Sequence, residues 1–147
     1  MTFTNKLQSF GIIPLYKDGK EILTVIVKHK QGHWGLPKGT PDPGEGPLKT
    51  ALRELKEETG IEEVELVKDI SFKERYHFSQ AGRNFSKEVI YYLGWVKDRP
   101  KEAVPFDDIV EIKWLPLPAA RKSLTYPEAR EILRQIESYL KLSKLSK

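Results

Sequence analysis

Three glutamates, Glu54, Glu57 and Glu58, crowd into the segment LRELKEETG. In a helix each residue turns about 100° from the one before, so positions i, i+3 and i+4 share a face. Like charges at that spacing cost roughly a few tenths of a kcal/mol per pair. The helix dipole also disfavours anions near the C-terminal end. Helix stability alone would not place three carboxylates there. A hard divalent cation removes the conflict: Mg²⁺ takes oxygen ligands, keeps several waters and works beside substrate phosphates. The bland alternative is a solvated acidic face balanced by Lys49, Arg53 and Lys56. The helix by itself leaves both readings open.

These side chains need a scaffold. Residues 31–47, QGHWGLPKGTPDPGEGP, are dense in Gly and Pro and read as a long loop, commonly a functional feature in a compact domain. A helix follows over Leu48–Thr59. Pro47 suits its first turn, Leu48, Ala51, Leu52 and Leu55 lie towards one side, and Gly60 is a natural left-handed cap. Upstream, Gly11–Tyr16 and Ile22–Lys28 read as a hairpin turned at Asp18-Gly19. Downstream, strands are expected at Val64–Ile70, Ser71–Phe78, Lys87–Val96 and Ile109–Leu115, with loops at residues 80–86 and 97–105. A last helix over about residues 127–142 would bury Ala129, Ile132, Leu133, Ile136 and Leu140. The order predicts an α+β domain with a mixed sheet between helices, an α/β/α layering. No linker marks a second domain, so residues 1–147 are expected to form one.

The composition narrows the chemistry. With 147 residues, 39% hydrophobic and 31% charged, the chain can build a real core. Cysteine is absent, which excludes disulfides, thiolate metal sites and thiol nucleophiles and suits a reducing cytoplasm. No secretory leader and no membrane-spanning stretch is expected. Only three His are present, against a multi-His zinc site. No Ser/His/acid arrangement competes. The net charge of +4 favours anionic partners, nucleic acid among them, although Lys141, Lys144 and Lys147 also fit a plain solvated tail. Nothing calls for an obligate protein partner.

Gly39, Glu45, Arg53, Glu54, Leu55, Glu57, Glu58, Gly60 and Ile61 together fill G-x5-E-x7-R-E-U-x-E-E-x-G-U, with U aliphatic. The chain here resembles the Nudix hydrolases, whose box this is. The resemblance implies the Nudix fold and hydrolysis of a nucleoside diphosphate linked to another group. It implies that Glu54, Glu57 and Glu58 carry catalytic metal, Mg²⁺ with Mn²⁺ an alternative. It further implies that the Lys38 carbonyl completes the metal shell and that Arg53 orients the glutamates. The chemistry agrees, because metals neutralise an inert anionic diphosphate, orient it and lower the pKa of a bound water.

Flanking residues are similar to the asymmetrical dinucleoside tetraphosphate hydrolases of that family. They are His33-Trp34-Gly35-Leu36-Pro37-Lys38-Gly39, Lys87 to Leu93, Val110 to Leu115, and Tyr126-Pro127-Glu128. That similarity implies that Lys38 and Lys87 contact polyphosphate and that Tyr126 stacks on a base. Tyr76 is the second ring, with Phe78 its rival. His33 is a candidate phosphate contact, or simply a loop histidine packed beside Trp34. A glutamate is common six residues before the tryptophan matching Trp114; here Asp108 stands there, shorter by about one C–C bond of 1.5 Å. Asp108 is assigned as general base, with Asp107 and Glu111 as neighbouring candidates. Three readings follow: a dinucleoside tetraphosphate hydrolase, a pyrophosphohydrolase of RNA 5′ ends or of another nucleoside diphosphate derivative, and a non-catalytic nucleotide-binding module.

Overall fold

The computed structural model describes residues 4–99 and 108–145. Its elements run β1 (Thr4–Asp18), β2 (Glu21–His29), β3 (Trp34–Gly35), β4 (Lys38–Gly39), α1 (Pro47–Thr59), β5 (Glu65–Gln80), β6 (Arg83–Val96), β7 (Ile109–Pro116), α2 (Leu117–Ser123) and α3 (Pro127–Leu145). All seven strands join one sheet, in the order β3-β2-β1-β6-β5, with β4 on β1 and β7 on β2. The β1–β6 pair is parallel and the other pairs are antiparallel, so the sheet is mixed.

Helices cover both faces. Ala51 and Leu55 of α1 pack with Phe10, Ile12, Val25 and Val96 on one side. On the other, Leu117 and Ala120 of α2 and Ala129, Ile132, Leu133 and Ile136 of α3 pack with Ile13, Leu15, Ile26, Val89, Tyr91 and Leu93. This is the expected α/β/α layering. Strand alternation makes it possible, since neighbouring residues such as Ile12 and Ile13 serve opposite cores.

The feature that positions the site is a fork. β1 and β2 pair only between Leu15–Asp18 and Glu21–Thr24. Beyond that they diverge, and the loop after β2 enters the gap: β3 pairs with Val27 and Lys28, and β4 with Phe10 and Gly11. Thr24 Oγ1 donates to the Pro14 carbonyl at 2.8 Å, a buried bond where the strands part. Gly11 admits the loop. A Cβ there would lie 2.1 Å from the Pro37 carbonyl oxygen.

Several sequence expectations are corrected. β1 begins at Thr4 rather than Gly11, because residues 4–10 are held by parallel pairing with β6, a tertiary contact that their polar sequence does not announce. The strands expected at Val64–Ile70 and Ser71–Phe78 are one strand, interrupted where the register shifts between Leu66 and Ser71 and Asp69 takes φ 60°. The expected loop over residues 80–86 is a two-residue turn. Ala81 and Gly82 have φ 54° and 75°, the left-handed pair that suits a tight hairpin, and Arg83 already belongs to β6. The loop over residues 31–47 contains the short strands β3 and β4. Helix α2 was not expected; its seven residues are too few to show a period. On α1, Leu48 and Leu52 are exposed, and the buried face is Thr50, Ala51, Leu55, Glu58 and Thr59. Helix α3 extends three residues past the expected end. Of the loop expected at residues 97–105, residues 100–105 lie outside the described residues, as does Lys147.

The close contact at Gly11 predicts that Gly11→Ala lowers stability by about 1–3 kcal/mol through overpacking. It also predicts weaker catalysis, because the displaced backbone is that of Pro37 and Lys38. Urea unfolding and steady-state kinetics check this, and a variant with wild-type stability and activity would refute it.

Candidate active site

Arg53 sits at the centre of the site. Its Nε and Nη2 donate to the two oxygens of Glu45 at 2.8 and 2.9 Å, a bidentate pair. Nη2 also donates to the Thr40 carbonyl at 3.0 Å, and Nη1 to Glu54 and Glu57 at 2.9 and 3.1 Å. One guanidinium thus ties the loop before α1 to two of the three helix carboxylates. Glu45 is further held by Thr50 Oγ1 at 2.7 Å and by the Asp42 amide. The Arg53 bonds, aided by Thr50, hold the Glu45 carboxyl down at about 2. Glu45 in turn raises the Arg53 guanidinium above its ordinary value.

Glu54 and Glu58 face the opposite situation. Burial raises both, against the pull of Arg53 on Glu54. For Glu58, which is 8% exposed, burial and then the Glu54 charge lift the carboxyl to about 8. The Lys38 amide donates to Glu58 Oε2 at 2.8 Å. Gly39 makes room for Glu54: a Cβ on Gly39 would lie 2.1 Å from the Glu54 carboxyl carbon. The glycine therefore leaves room for the Glu54 carboxylate, which a larger residue would push aside, without an unusual backbone angle.

A cavity of about 150 Å³ is lined by His29, Lys38, Glu54, Glu57, Glu58, Asp108 and Ile109. Among the described residues no three acidic or His side chains converge into a closed metal cluster. Glu54 and Glu57 turn towards Arg53, and Glu58 towards Lys38. The donor set nevertheless suits a hard divalent cation. It is all oxygen, and among the described residues the buried Glu58 has no cationic hydrogen-bond partner. Glu54, Glu57 and Glu58, with the Lys38 carbonyl, would hold the ion. Asp108 reaches this cavity. Glu111 does not line it; it is exposed on β7, 3.9 Å from Lys113. Asp107 lies outside the described residues.

A second cavity, about 480 Å³, includes Tyr76, Tyr126, His33, Lys38, Glu74, Tyr91 and Glu128 in its lining. Lys38 and His29 line both cavities. Tyr126 is 52% exposed. It is fixed beside the fork because Thr125 exchanges two hydrogen bonds with the backbone of Trp34, at 2.8 and 3.1 Å. His33 stacks on His29 at 4.2 Å and meets the Tyr126 ring at 5.5 Å. Lys87 is paired with Tyr76 across β5 and β6 but is not among the lining residues. Burial and the nearby Lys38 lower its ammonium from the ordinary value. Between the rival rings, Tyr76 lines the cavity, whereas Phe78 stacks on Phe85 at 5.0 Å.

Two residues escaped the sequence reading. His29 joins the cavities, and burial with His33 lowers it to about 4, so it is neutral at pH 7. Glu74 is buried, accepts a bond from Tyr91 Oη at 3.2 Å and, among the described residues, has no donor for Oε2. Strand alternation alone could not separate either from an ordinary surface residue.

A NUDIX domain model matches residues 5–136, and the chain belongs to the Nudix hydrolase family, enzymes that act on pyrophosphate bonds and generally use a divalent metal. Among its relatives, the asymmetrical bis(5′-nucleosyl)-tetraphosphatase of Mus musculus is 37% identical over 125 residues, covering 84% of each chain. The crystal structure of a C. elegans Ap4A hydrolase binary complex superposes with a TM-score of 0.78 at 27% identity, covering 91% of this chain and 97% of that one. An RNA pyrophosphohydrolase of Pelagibacter ubique is 42% identical over 59 residues, 40% of this chain and 37% of its own.

The Arg53–Glu45 pair predicts a pH-dependent stability difference. A carboxyl held at about 2 when folded and near 4.5 when unfolded stabilises the fold above pH 4.5. That contribution fades as pH falls towards 2. Glu45→Gln is therefore less stable than wild type at pH 7, and the gap closes by about pH 2. Urea unfolding at several pH values measures it; equal stability at pH 7 would remove Arg53–Glu45 as a structural tie.

Proposed function

We propose that the protein is a Mg²⁺-dependent hydrolase of dinucleoside tetraphosphates, cleaving them asymmetrically to a nucleoside triphosphate and a nucleoside monophosphate. The whole chain would act as one domain, in the cytoplasm, without an obligate protein partner. The observation that supports this best is the adjacency of the two cavities. A carboxylate pocket suited to a metal and phosphates shares Lys38 and His29 with a larger pocket bearing Tyr76 and Tyr126. One holds phosphate and the other a base. The tetraphosphatase and Ap4A hydrolase relatives support the same substrate class.

Glu54, Glu57, Glu58 and the Lys38 carbonyl hold the metal. Mg²⁺, or Mn²⁺ in its place, neutralises phosphate charge and makes water a better nucleophile when bound. Asp108 lines the same pocket and is the proposed general base: it takes the proton as the water oxygen bonds to phosphorus and the bridging P–O bond breaks. Arg53 orients Glu54 and Glu57. Lys38 and Lys87 supply point charges to the polyphosphate. His33 stands beside the rings as a further phosphate contact, and Tyr76 and Tyr126 stack on a base.

The similarity to an RNA pyrophosphohydrolase favours RNA 5′ ends as the second reading. A non-catalytic module is disfavoured, since every glutamate of the box is present.

With Mg²⁺, diadenosine tetraphosphate should yield ATP and AMP on chromatography. Pyrophosphate release from triphosphorylated RNA without dinucleotide cleavage would install the second reading instead. Glu58→Gln should lower kcat by about a hundredfold or more. It should not lower thermal stability, because a neutral amide replaces a carboxyl already costly to bury; wild-type kcat would refute the metal role. Tyr126→Ala should raise KM for the dinucleotide by about tenfold through lost stacking. An equal rise for a substrate with no second base would remove that role.

A further inference from the structure

The β5–β6 hairpin carries an aromatic and cationic stripe that runs on from the base cavity. Pairing places Tyr76 opposite Lys87, Phe78 opposite Phe85 and Gln80 opposite Arg83. Alternate residues share a face, so these three rows lie on one side of the ribbon, with Leu7 and Asn5 of β1 beside the first two. Arg83, Phe85 and Lys87 thus alternate cation, ring, cation along β6. The rings form a continuous group: Tyr76 to Phe78 is 6.1 Å and Phe78 to Phe85 is 5.0 Å with planes 12° apart. The opposite face is polar and carries the pairs Ser79–Asn84 and Arg75–Glu88. An amphipathic ribbon ordinarily buries its apolar side, yet among the described residues Phe78 and Phe85 join neither core cluster.

We infer that this ribbon face binds the nucleotides following the first base of a single-stranded, 5′-polyphosphorylated oligonucleotide. The inference rests on the pyrophosphohydrolase reading of the site and extends its substrates beyond dinucleotides. Direction supports it. Lys38 stands in the row of Gly11 and Tyr91, four residues along the strand from the Tyr76–Lys87 row. Phe78, Phe85 and Arg83 lie on the other side of that row. A 5′-polyphosphate at Lys38 with its base on Tyr76 leaves the 3′ side of the nucleotide to continue over Phe78 and Phe85 towards Arg83. A dinucleoside polyphosphate shares the Tyr76–Lys87 row but then continues through its phosphates, beyond the metal pocket, and does not use the Phe78–Phe85 and Gln80–Arg83 rows. The rows repeat every two residues, about 6.8 Å, which accommodates an extended strand. Rings supply sequence-tolerant stacking and the cations meet phosphodiester charge, the combination that binds single strands.

The test compares ATP, 5′-triphosphorylated di- and tetra-adenylate, and diadenosine tetraphosphate, with fluorescence anisotropy for binding and chromatography for turnover. The tetranucleotide should bind at least about tenfold tighter than ATP. Phe85→Leu, which keeps apolar bulk, and Arg83→Gln, at an exposed position, should each weaken tetranucleotide binding about fivefold or more. Both should leave ATP binding and diadenosine tetraphosphate cleavage unchanged. Arg83→Gln should also reduce the slope of log K against log salt by about 0.7. Length-independent binding alongside normal dinucleotide cleavage would overturn the ribbon and leave the proposed function standing. Length-dependent binding, sensitive to both variants but without any cleavage, would uphold the ribbon and overturn the hydrolase reading.

Discussion

The site depends on one guanidinium placed among acids. Arg53 bonds Glu45, Glu54 and Glu57 together with a loop carbonyl, so it neutralises charge and fixes shape at once. Its planar fork suits this, because several donors leave in fixed directions and a carboxylate can be held by both oxygens. The consequence is uneven. Glu45 is stabilised as an anion, whereas Glu54 and Glu58 remain raised by burial. Glu45 therefore acts as structural counter-charge, and the carboxylates with residual electrostatic demand are those facing the small cavity.

That division would be useless without the fork in the sheet. The early parting of β1 and β2 admits the loop of residues 34–39 as part of the sheet. Lys38 then has two duties. Its amide fixes Glu58, and its side chain stands where the two cavities meet. Gly11 and Gly39 permit the approach on either side of it. The same loop anchors Thr125 through Trp34, which carries Tyr126 to the larger cavity. Loop, helix and distant aromatic are thus coupled through short hydrogen bonds in addition to the apolar packing of Leu36 and Leu55.

Local pattern revealed some features and concealed others. Helix α1 was legible from Pro47 and Gly60, whose conformational preferences mark its two ends. Its buried face was less so. Thr50 and Glu58 are buried by bonds to Glu45 and Lys38 while Leu48 and Leu52 stay exposed, which hydrophobicity alone would reverse. Residues 4–10 carry no strand signal of their own, and residues 83–86 read as loop, because partner strands, not apolar alternation, extend them.

The grouping of Gly39, Glu45, Arg53, Glu54, Glu57, Glu58 and Gly60 was readable before any fold, because their spacing is local and a helix turns local spacing into a shared face. Which distant residues join that face depends on how the strands pair. Folding brought Asp108 rather than Glu111 to the carboxylate cavity, set Tyr76 rather than Phe78 in the lining of the larger cavity, and made His29 the bridge between the two. The reason is physical. Those choices depend on strand register, where one residue of slip exchanges the faces, and register is settled by pairing between segments far apart in the chain.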